Sequence, residues 1–501
     1  MLARGTLIAS ASLMTLAGFA RAQCEPQWLP DDGNSGFQSI PYCATVWDPD
    51  GAGPAEPVLV AGGLFASIGS VFARHIASWN GARWNAVGPG LSAHVYAVHV
   101  HAGELYAAGA FTPTDGISPN HIARWDGSSW QPLGTGLNYL GYAMATFQGQ
   151  LIVGGSFTTA GGVSALCVAA WDGTAWHAMG NGFDNQVRAL CVYNGELYAG
   201  GKFQRSGTAS VRGFARWNGS AWVIPDGTSS VYQVESLLVF NGQLILGGRF
   251  TIVGGHSSTY VIAWDGTAWH AMPGLPYSGG GVVYGLGELD NKLYAATESS
   301  VRWWTGTGWN TAGTTGDSVF ALAPYQGELH AFGRFVSMNG LPAPRWARWG
   351  APVAPAITDN PDPSATCTGG TLTLSAAATG TWPLSYAWRK DGTPLSDGPT
   401  GNGSSITGAH AATLQISDAA TADAGSYDCV VTNACSSATS AAAAINVCAA
   451  DVDCNGYVNG ADFDGFVGAF VRGDPAADFD HNSFVNGVDF DSFVALFEAG
   501  C

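Results

Sequence analysis

The chain has 501 residues, of which 11% are Asp, Glu, Lys or Arg and 70 are Gly. That is under half the usual charged share of about 25%, with about twice the usual Gly, so helical bundles and coiled coils are disfavoured and many short strands joined by tight turns are favoured. Lys plus Arg total 19 against 37 Asp plus Glu, a net charge of −18, which is the wrong sign for a nucleic-acid partner.

Residues 1–22 read as a secretory signal. Arg4 supplies a positive start, Thr6 to Phe19 a short apolar stretch, and Ala20-Arg21-Ala22 an A-x-A cleavage site before Gln23. The stretch is too short for a membrane span, which leaves a buried core helix as the alternative. Losing Arg4 and Arg21 would leave 17 basic against 37 acidic groups, a net charge near −20. No later segment reaches the ~18 apolar residues of a transmembrane helix. The expectation is a secreted or cell-surface protein without membrane insertion. Ten cysteines survive the cleavage, which in an oxidising compartment suggests disulfides. They cluster as Cys24/Cys43, Cys167/Cys191 and six from Cys367 onward. Pairing inside the first two clusters is a guess, and the last six (367, 429, 435, 448, 454 and 501) leave 15 connectivities open.

From residue 24 to 350 one phrase recurs, Trp-(Asp/Asn)-Gly-x-x-Trp. It stands at Trp79–Trp84, Trp125–Trp130, Trp171–Trp176, Trp217–Trp222 and Trp264–Trp269, with a worn copy at Trp304–Trp309. The first Trp positions differ by 46, 46, 46, 47 and 40, and Trp349 follows 45 later without a second Trp. A second phrase runs in step, Gly103–Phe111, Gly149–Phe157 and Gly195–Phe203, with relatives at 58–65, 242–250, 291–298 and 327–335. Seven copies with a period in the forties predict a seven-bladed β-propeller. The Asp/Asn-Gly step permits the positive φ of a hairpin turn. The flanking Trp residues then meet across the hairpin, worth about 0.5–1.5 kcal/mol beyond area burial.

The seventh copy lacks its outer Trp, and Gln27-Trp28-Leu29-Pro30 near the N-terminus resembles Trp130-Gln131-Pro132-Leu133. The N-terminal segment is therefore expected to supply the last strand of blade seven; an open six-blade array is the alternative. Thirteen of 19 Trp residues occupy the repeat and Trp28 makes fourteen, so most read as structural and not as sugar platforms. The repeat stretch as a whole resembles kelch-like or galactose-oxidase-like propellers. The Asp-Gly-x-x-Trp spacing differs from the Asp-x-Gly-x-x-Trp of sialidases.

Aligning the inner strand of each copy ends Ser-Ile-Pro-Tyr42, His-Val-Tyr96, Leu-Gly-Tyr142, Gln-Val-Arg188, Gln-Val-Glu235, Val-Val-Tyr284 and Ser-Val-Phe320. One such residue per blade makes a ring near one mouth of the central channel, able to stack a sugar or clasp a peptide. The alternative is packing between blades, with Arg188 and Glu235 neutralising each other. No local motif announces a nucleophile with its base, or paired carboxylates. His99 and His101, alternating on one strand, could hold a metal, but two His residues are weak evidence. A copper-radical Tyr, Cys and His set is not found.

Ala351-Pro-Val-Ala-Pro355 reads as a short stiff linker. Thr371–Leu374, Leu384–Gly392, Ala412–Ile416 and Asp423-Ala-Gly-Ser-Tyr427-Asp-Cys429 follow. Residues 351–448 resemble an immunoglobulin-like domain, with Trp388 as the implied core Trp and Tyr427 as the implied corner tyrosine. The implied strand-B cysteine falls near Ala376, so Cys429 pairs elsewhere or stays free. Such a domain is a spacer or a binding module.

Residues 449–501 carry the sharpest chemistry. Asp451, Asp453, Asn455, Gly456, Tyr457, Asn459 and Asp462 fit positions 1, 3, 5, 6, 7, 9 and 12 of a Ca²⁺ loop. A second copy, starting at Asp478, places Asp478, Asp480, Asn482, Ser483, Phe484, Asn486 and Asp489 likewise. Tyr457 and Phe484 would each offer a backbone carbonyl. Phe463, Phe466 and Phe470, and Phe490, Phe493 and Phe497, form one apolar face on each following helix, and the two faces should pack together. Ten acidic groups and one Arg give this segment −9, which two Ca²⁺ would reduce to −5. Two loop–helix copies resemble a dockerin, and the Gly500-Cys501 ending resembles the GC-type variant. That resemblance implies Ca²⁺-dependent docking to a cohesin-like or cell-envelope partner.

The whole reads as mainly β: a signal (1–22), a propeller (23–350), an immunoglobulin-like β-sandwich (351–448) and a small α-helical, calcium-binding, dockerin-like domain (449–501). The preferred function is a non-catalytic surface or adhesion protein whose propeller binds a glycan or protein. The alternative is an extracellular polysaccharide-active enzyme delivered by the same tail.

Overall fold

The computed structural model describes residues 24–29, 36–51, 53, 55–113, 120–225, 231–275, 281–381, 383–479 and 482–500. The proposed signal, residues 1–22, lies outside them. The chain divides into two compact units, one of residues 26–350, the other of 351–501 together with the segment up to Glu25. No helix among the described residues is long and apolar enough to cross a membrane.

In residues 26–350 the repeats become seven four-stranded antiparallel sheets. The first runs in order Pro41–Trp47, Val58–Gly63, Ile76–Trp79 and Trp84–Ala86. Each inner strand packs against the next sheet's inner strand, and the last, Val319–Tyr325, packs against the first, Pro41–Trp47, so the succession closes on itself. The Trp-(Asp/Asn)-Gly-x-x-Trp phrase is the outer hairpin. Trp125 and Trp130 face each other in register with rings 5.3 Å apart. Between them Asp126 Oδ1 accepts the backbone N–H groups of Ser128 and Ser129 at 2.8 Å, and Gly127 takes φ +97°. The side chain thus satisfies the turn's donors and the glycine supplies its handedness.

In several sheets the outer Trp also joins its sheet to the predecessor, whereas, among the described residues, the Trp84 and Trp130 indole N–H groups are buried without a hydrogen-bond partner. Trp176 Nε1 donates to Leu133 O at 2.9 Å, Trp222 Nε1 to Met179 O at 3.2 Å and Trp309 Nε1 to Met272 O at 3.3 Å. Each acceptor lies three residues after the previous sheet's outer Trp. Trp28 obeys the same rule, donating to Ala312 O, three after Trp309, at 2.8 Å. The strand Gln27–Leu29 pairs antiparallel with Trp346–Gly350, Trp28 opposite Trp349. The N-terminal segment therefore stands where the seventh copy lacks its own outer Trp. The short fifth spacing, from Trp264 to Trp304, has a local cause. Two-residue ribbons such as Thr159–Ala160 with Val163–Ser164 interrupt other copies, whereas Lys292–Thr297 turns directly into Ser300–Trp304.

The cysteine guess is corrected. Cys24 is bridged to Cys435, not Cys43, and Cys367 to Cys454. Cys448 is also disulfide-bonded. Cys43, Cys167, Cys191 and Cys429 are free. Cys43 and Cys191 lie on inner strands, and Cys167 is itself buried. Burial pushes the Cys43 thiol up to about 12 and those of Cys167 and Cys191 up to about 11.

In the second unit a sheet carrying Ser385–Lys390 and Gly425–Thr432 accompanies a four-stranded sheet led by Leu372–Ser375. Trp388 and Cys429 are fully buried in one cluster that also holds Ala376. Tyr427 Oη donates to Asp423 O at 2.7 Å, which locks the corner. Segment 351–355 is held by its neighbours. Asn433 Nδ2 donates to Val353 O at 2.7 Å and the Val353 N–H donates to Thr381 Oγ1 at 2.7 Å. Tyr427→Phe should cost about 1–2 kcal/mol, because it leaves a buried carbonyl short of a partner. Chemical denaturation would test this, with Thr439→Ala, at an exposed position, as the control expected to change nothing.

Helices α1 (Gly460–Arg472) and α2 (Gly487–Ala499) occupy equivalent places in the two copies. Their Phe faces meet as expected. Phe466 and its repeat equivalent Phe493 stack at 4.0 Å with 9° between planes, and Phe479 closes on both at 5.1 and 5.2 Å.

Candidate functional site

All seven ring residues line one cavity of ≈ 500 Å³. The backbone explains why. In every sheet the ladder between the first two strands slips by one residue, and the slipped residue is the ring residue. The slips fall between Pro41 and Cys43, Val95 and Ala97, Gly141 and Ala143, and Val187 and Ala189. The other three fall between Val234 and Ser236, Val283 and Gly285, and Val319 and Ala321. A β-bulge re-aims a side chain out of the ladder. Here seven bulges direct Tyr42, Tyr96, Tyr142, Arg188, Glu235, Tyr284 and Phe320 to one place. In every sheet but the sixth, where Thr297 stands instead, the glycine of the second phrase permits the close approach. A Cβ on Gly201 would lie 2.1 Å from the backbone oxygen of Gln186.

The rings touch in succession: Tyr284–Phe320 at 5.2 Å, Phe320–Tyr42 at 5.8 Å, Tyr42–Tyr96 at 5.2 Å and Tyr96–Tyr142 at 5.4 Å. The Arg188 guanidinium sits 4.3 Å over the Tyr142 ring. Arg188 and Glu235 do not neutralise each other as an ion pair; Glu235 instead accepts a hydrogen bond from Gln233 Nε2. Burial raises the phenol pKa of Tyr42, Tyr96 and Tyr284, so these hydroxyls stay protonated at neutral pH.

Lys202, Gln233, Arg249 and Val282 also line the cavity and were not singled out from the sequence. A signal for two of them exists. Lys202 and Arg249 occupy the position just after the glycine pair of the second phrase, where Arg334 and Glu298 stand in other copies. His99 Nε2 and His101 Nδ1 converge on Thr146 Oγ1, each at 3.0 Å, which gives both rings a hydroxyl partner.

In the first tail loop Asp451, Asp453 and Asp462 bring one carboxylate oxygen each within 4.8 Å of one another. Such crowding of hard oxygens repels itself without a cation and suits Ca²⁺. The buried Asp462 shapes the loop. Its Oδ1 accepts from the N–H groups of Val452 and Asp453 at 2.8 and 3.1 Å, and its Oδ2 from Asn459 N–H at 2.9 Å. Asn455 and Gly456 N–H groups donate to Asp451 at 3.1 and 2.9 Å, and Asn459 Nδ2 to Tyr457 O at 3.3 Å. The second loop repeats the pattern. Asn482 and Ser483 N–H groups donate to Asp478 at 3.0 and 2.7 Å. Asn486 N–H donates to Asp489 at 2.8 Å and Asn486 Nδ2 to Phe484 O at 3.2 Å. Asp480 lies outside the described residues. Ser483 takes φ +72° where Gly456 takes +85°.

Comparison with known proteins adds two family matches. Residues 355–447 match the immunoglobulin I-set domain, and residues 141–301 match the Rax2 C-terminal beta propeller domain. The chain thus combines a propeller with an immunoglobulin-like domain and is mainly β. A protein named "Decoration protein" from Escherichia phage T5 is 42% identical over 87 residues, 17% of this chain and 46% of that protein. The chain therefore spans under half the length of this curated relative. Among solved structures, titin domain M7 is 21% identical over 19% of this chain and 93% of its own, with a TM-score of 0.17. An immunoglobulin domain complex of titin M10 with obscurin-like 1 is 30% identical over 19% and 92%, with a TM-score of 0.16.

Proposed function

We propose that this is a secreted, non-catalytic surface or adhesion protein. Its seven sheets act as a seven-bladed propeller that binds a glycan or protein at the ring cavity. The immunoglobulin-like domain spaces it, and a dockerin-like tail holding two calcium ions docks it to a cohesin-like or envelope partner. The observation that carries the reading is the convergence of seven bulged side chains on one cavity. A propeller joined to an immunoglobulin-like domain fits a surface protein broadly, and the disulfides are compatible with an extracellular place. Glu235 is the one carboxylate among the described lining residues, whereas glycoside hydrolysis needs a flanking pair. The enzyme reading therefore gains no support from the lining.

The test is capture from the source's own envelope extract in Ca²⁺ and in EDTA. The full chain is the right bait, because Cys454 inside the first loop is bridged to Cys367. One saturable partner held only in Ca²⁺ is expected; equal capture in EDTA would refute docking through the loops. Turnover of a glycan panel would favour the enzyme. Within the tail, the second loop should bind Ca²⁺ more weakly, since positive φ at Ser483 costs about 1–2 kcal/mol. Ser483→Gly should tighten it by about tenfold in calorimetric titration. No tightening would count against that loop as a site.

A further inference from the structure

The cavity wall has two chemistries. One side is the aromatic arc. The other carries Arg188, Lys202 and Arg249, with Glu235 the one carboxylate. Three cations on one wall are unexpected in a chain of net charge −18. Among the described residues none of the three is ion-paired, although Arg188 lies over the Tyr142 ring, whereas Arg334 nearby is held by Asp317 at 3.4 Å. Arg188 Nε is buried without a hydrogen-bond partner. Glu298 stands close enough to Tyr284 to add to the effect of burial in raising its phenol.

We propose that the cavity takes an acidic saccharide, a sugar carrying a carboxylate such as a uronate. This rests on the ring cavity being the binding site. The sugar's C–H face lies on the aromatic arc, and its carboxylate meets Arg188, Lys202 and Arg249. Arginine suits that role because its fork matches a carboxylate with two parallel hydrogen bonds. The protonated phenols and the Glu235 carboxylate answer ring hydroxyls as donors and acceptors. The volume of ≈ 500 Å³ falls inside the range of about 300–1,000 Å³ usual for small-ligand sites. An acidic peptide would satisfy the cations, but it brings no row of C–H faces for five contiguous rings.

The test is calorimetry on the full chain with trisaccharides of galacturonate, glucuronate and mannuronate, their neutral methyl esters, and a glutamate peptide of matched charge. At least one acid should bind at least about tenfold tighter than its ester and weaken as salt rises, since salt screens the contact. Lys202→Ala with Arg249→Ala should bring the acid to the level of its ester and leave the ester unchanged. Tyr96→Ala should weaken both. Arg249 is exposed, so Arg249→Ala alone gives a variant whose core is untouched. Equal binding of acid and ester, both lost in Tyr96→Ala, would keep the cavity as the site and overturn its acidic preference. Acid binding indifferent to all these variants would overturn the cavity itself. Equal or tighter binding of the peptide, or no binding of any acid, would overturn the saccharide.

Discussion

Trp28→Ala is expected to destabilise the 26–350 unit by about 3–5 kcal/mol, the range for emptying a large buried aromatic site. Trp28 is 4% exposed and packs in one cluster with Val301, Val319 and Met338. It stands 5.5 Å from Trp349 and donates its indole N–H to Ala312. A Cβ on Gly313 would fall 2.2 Å from Trp28 Nε1, which shows how closely the backbone has moved in. The damage should exceed that at an ordinary outer Trp. Trp130 is returned to its partner by a tight turn, whereas the strand Gln27–Leu29 pairs with Trp346–Gly350 from the opposite end of the unit's sequence. Its departure would bare the edge of Trp346–Gly350, an invitation to pairing with another chain. Urea unfolding followed by light scattering would read both effects. A cost under about 1 kcal/mol, with no association, would mean that the ring does not depend on its N-terminal strand.

Asp462→Ala is expected to unfold the first loop and helix α1, with or without metal. The carboxylate is buried and satisfies three backbone N–H groups, from Val452, Asp453 and Asn459. Hydrogen bonds to a charged group contribute about 1.5–3 kcal/mol each, and these donors belong to exposed residues that water can reach, so the loss is a few kcal/mol before any ion is counted. Asp462→Asn keeps one oxygen acceptor and loses the charge. It should retain more helix than Asp462→Ala while losing calcium affinity. EDTA on the natural chain should lower the melting temperature of the tail, and its effect on Asp462→Asn should be smaller. A tail whose melting is indifferent to both EDTA and Asp462→Ala would refute the metal and the structural role together.

The repeat alone makes the sheets and the ring legible in the sequence, because a period in the forties fixes which residues are equivalent. The bulges are not legible there. A one-residue slip depends on two strands pairing, and Val187-Arg188-Ala189 alone carries no mark of it. The mark lies in the partner strand, in the glycine at Gly201 that lets Gln186 come close. Lys202 and Arg249 escape notice because an alignment of inner strands stops short of the second strand's end. The cysteine guess fails because nearness in sequence stands in for nearness in space, and Cys43 sits on a strand whose neighbours are other strands. In the tail, spacing suffices. Ligand positions and Phe positions are local, so the loops and helices follow from the arithmetic of one loop and one helical turn.

The bridge between Cys24 and Cys435 spans 411 residues of sequence, including everything from Gln27 to Gly350. In covalent terms that stretch is a closed loop. A single protease cut within it frees no fragment, because both pieces remain attached through the cystine. The cut chain would run as one species on a non-reducing gel and as two after reduction. One such cut therefore leaves the ring-forming and tail-bearing parts as a single molecule.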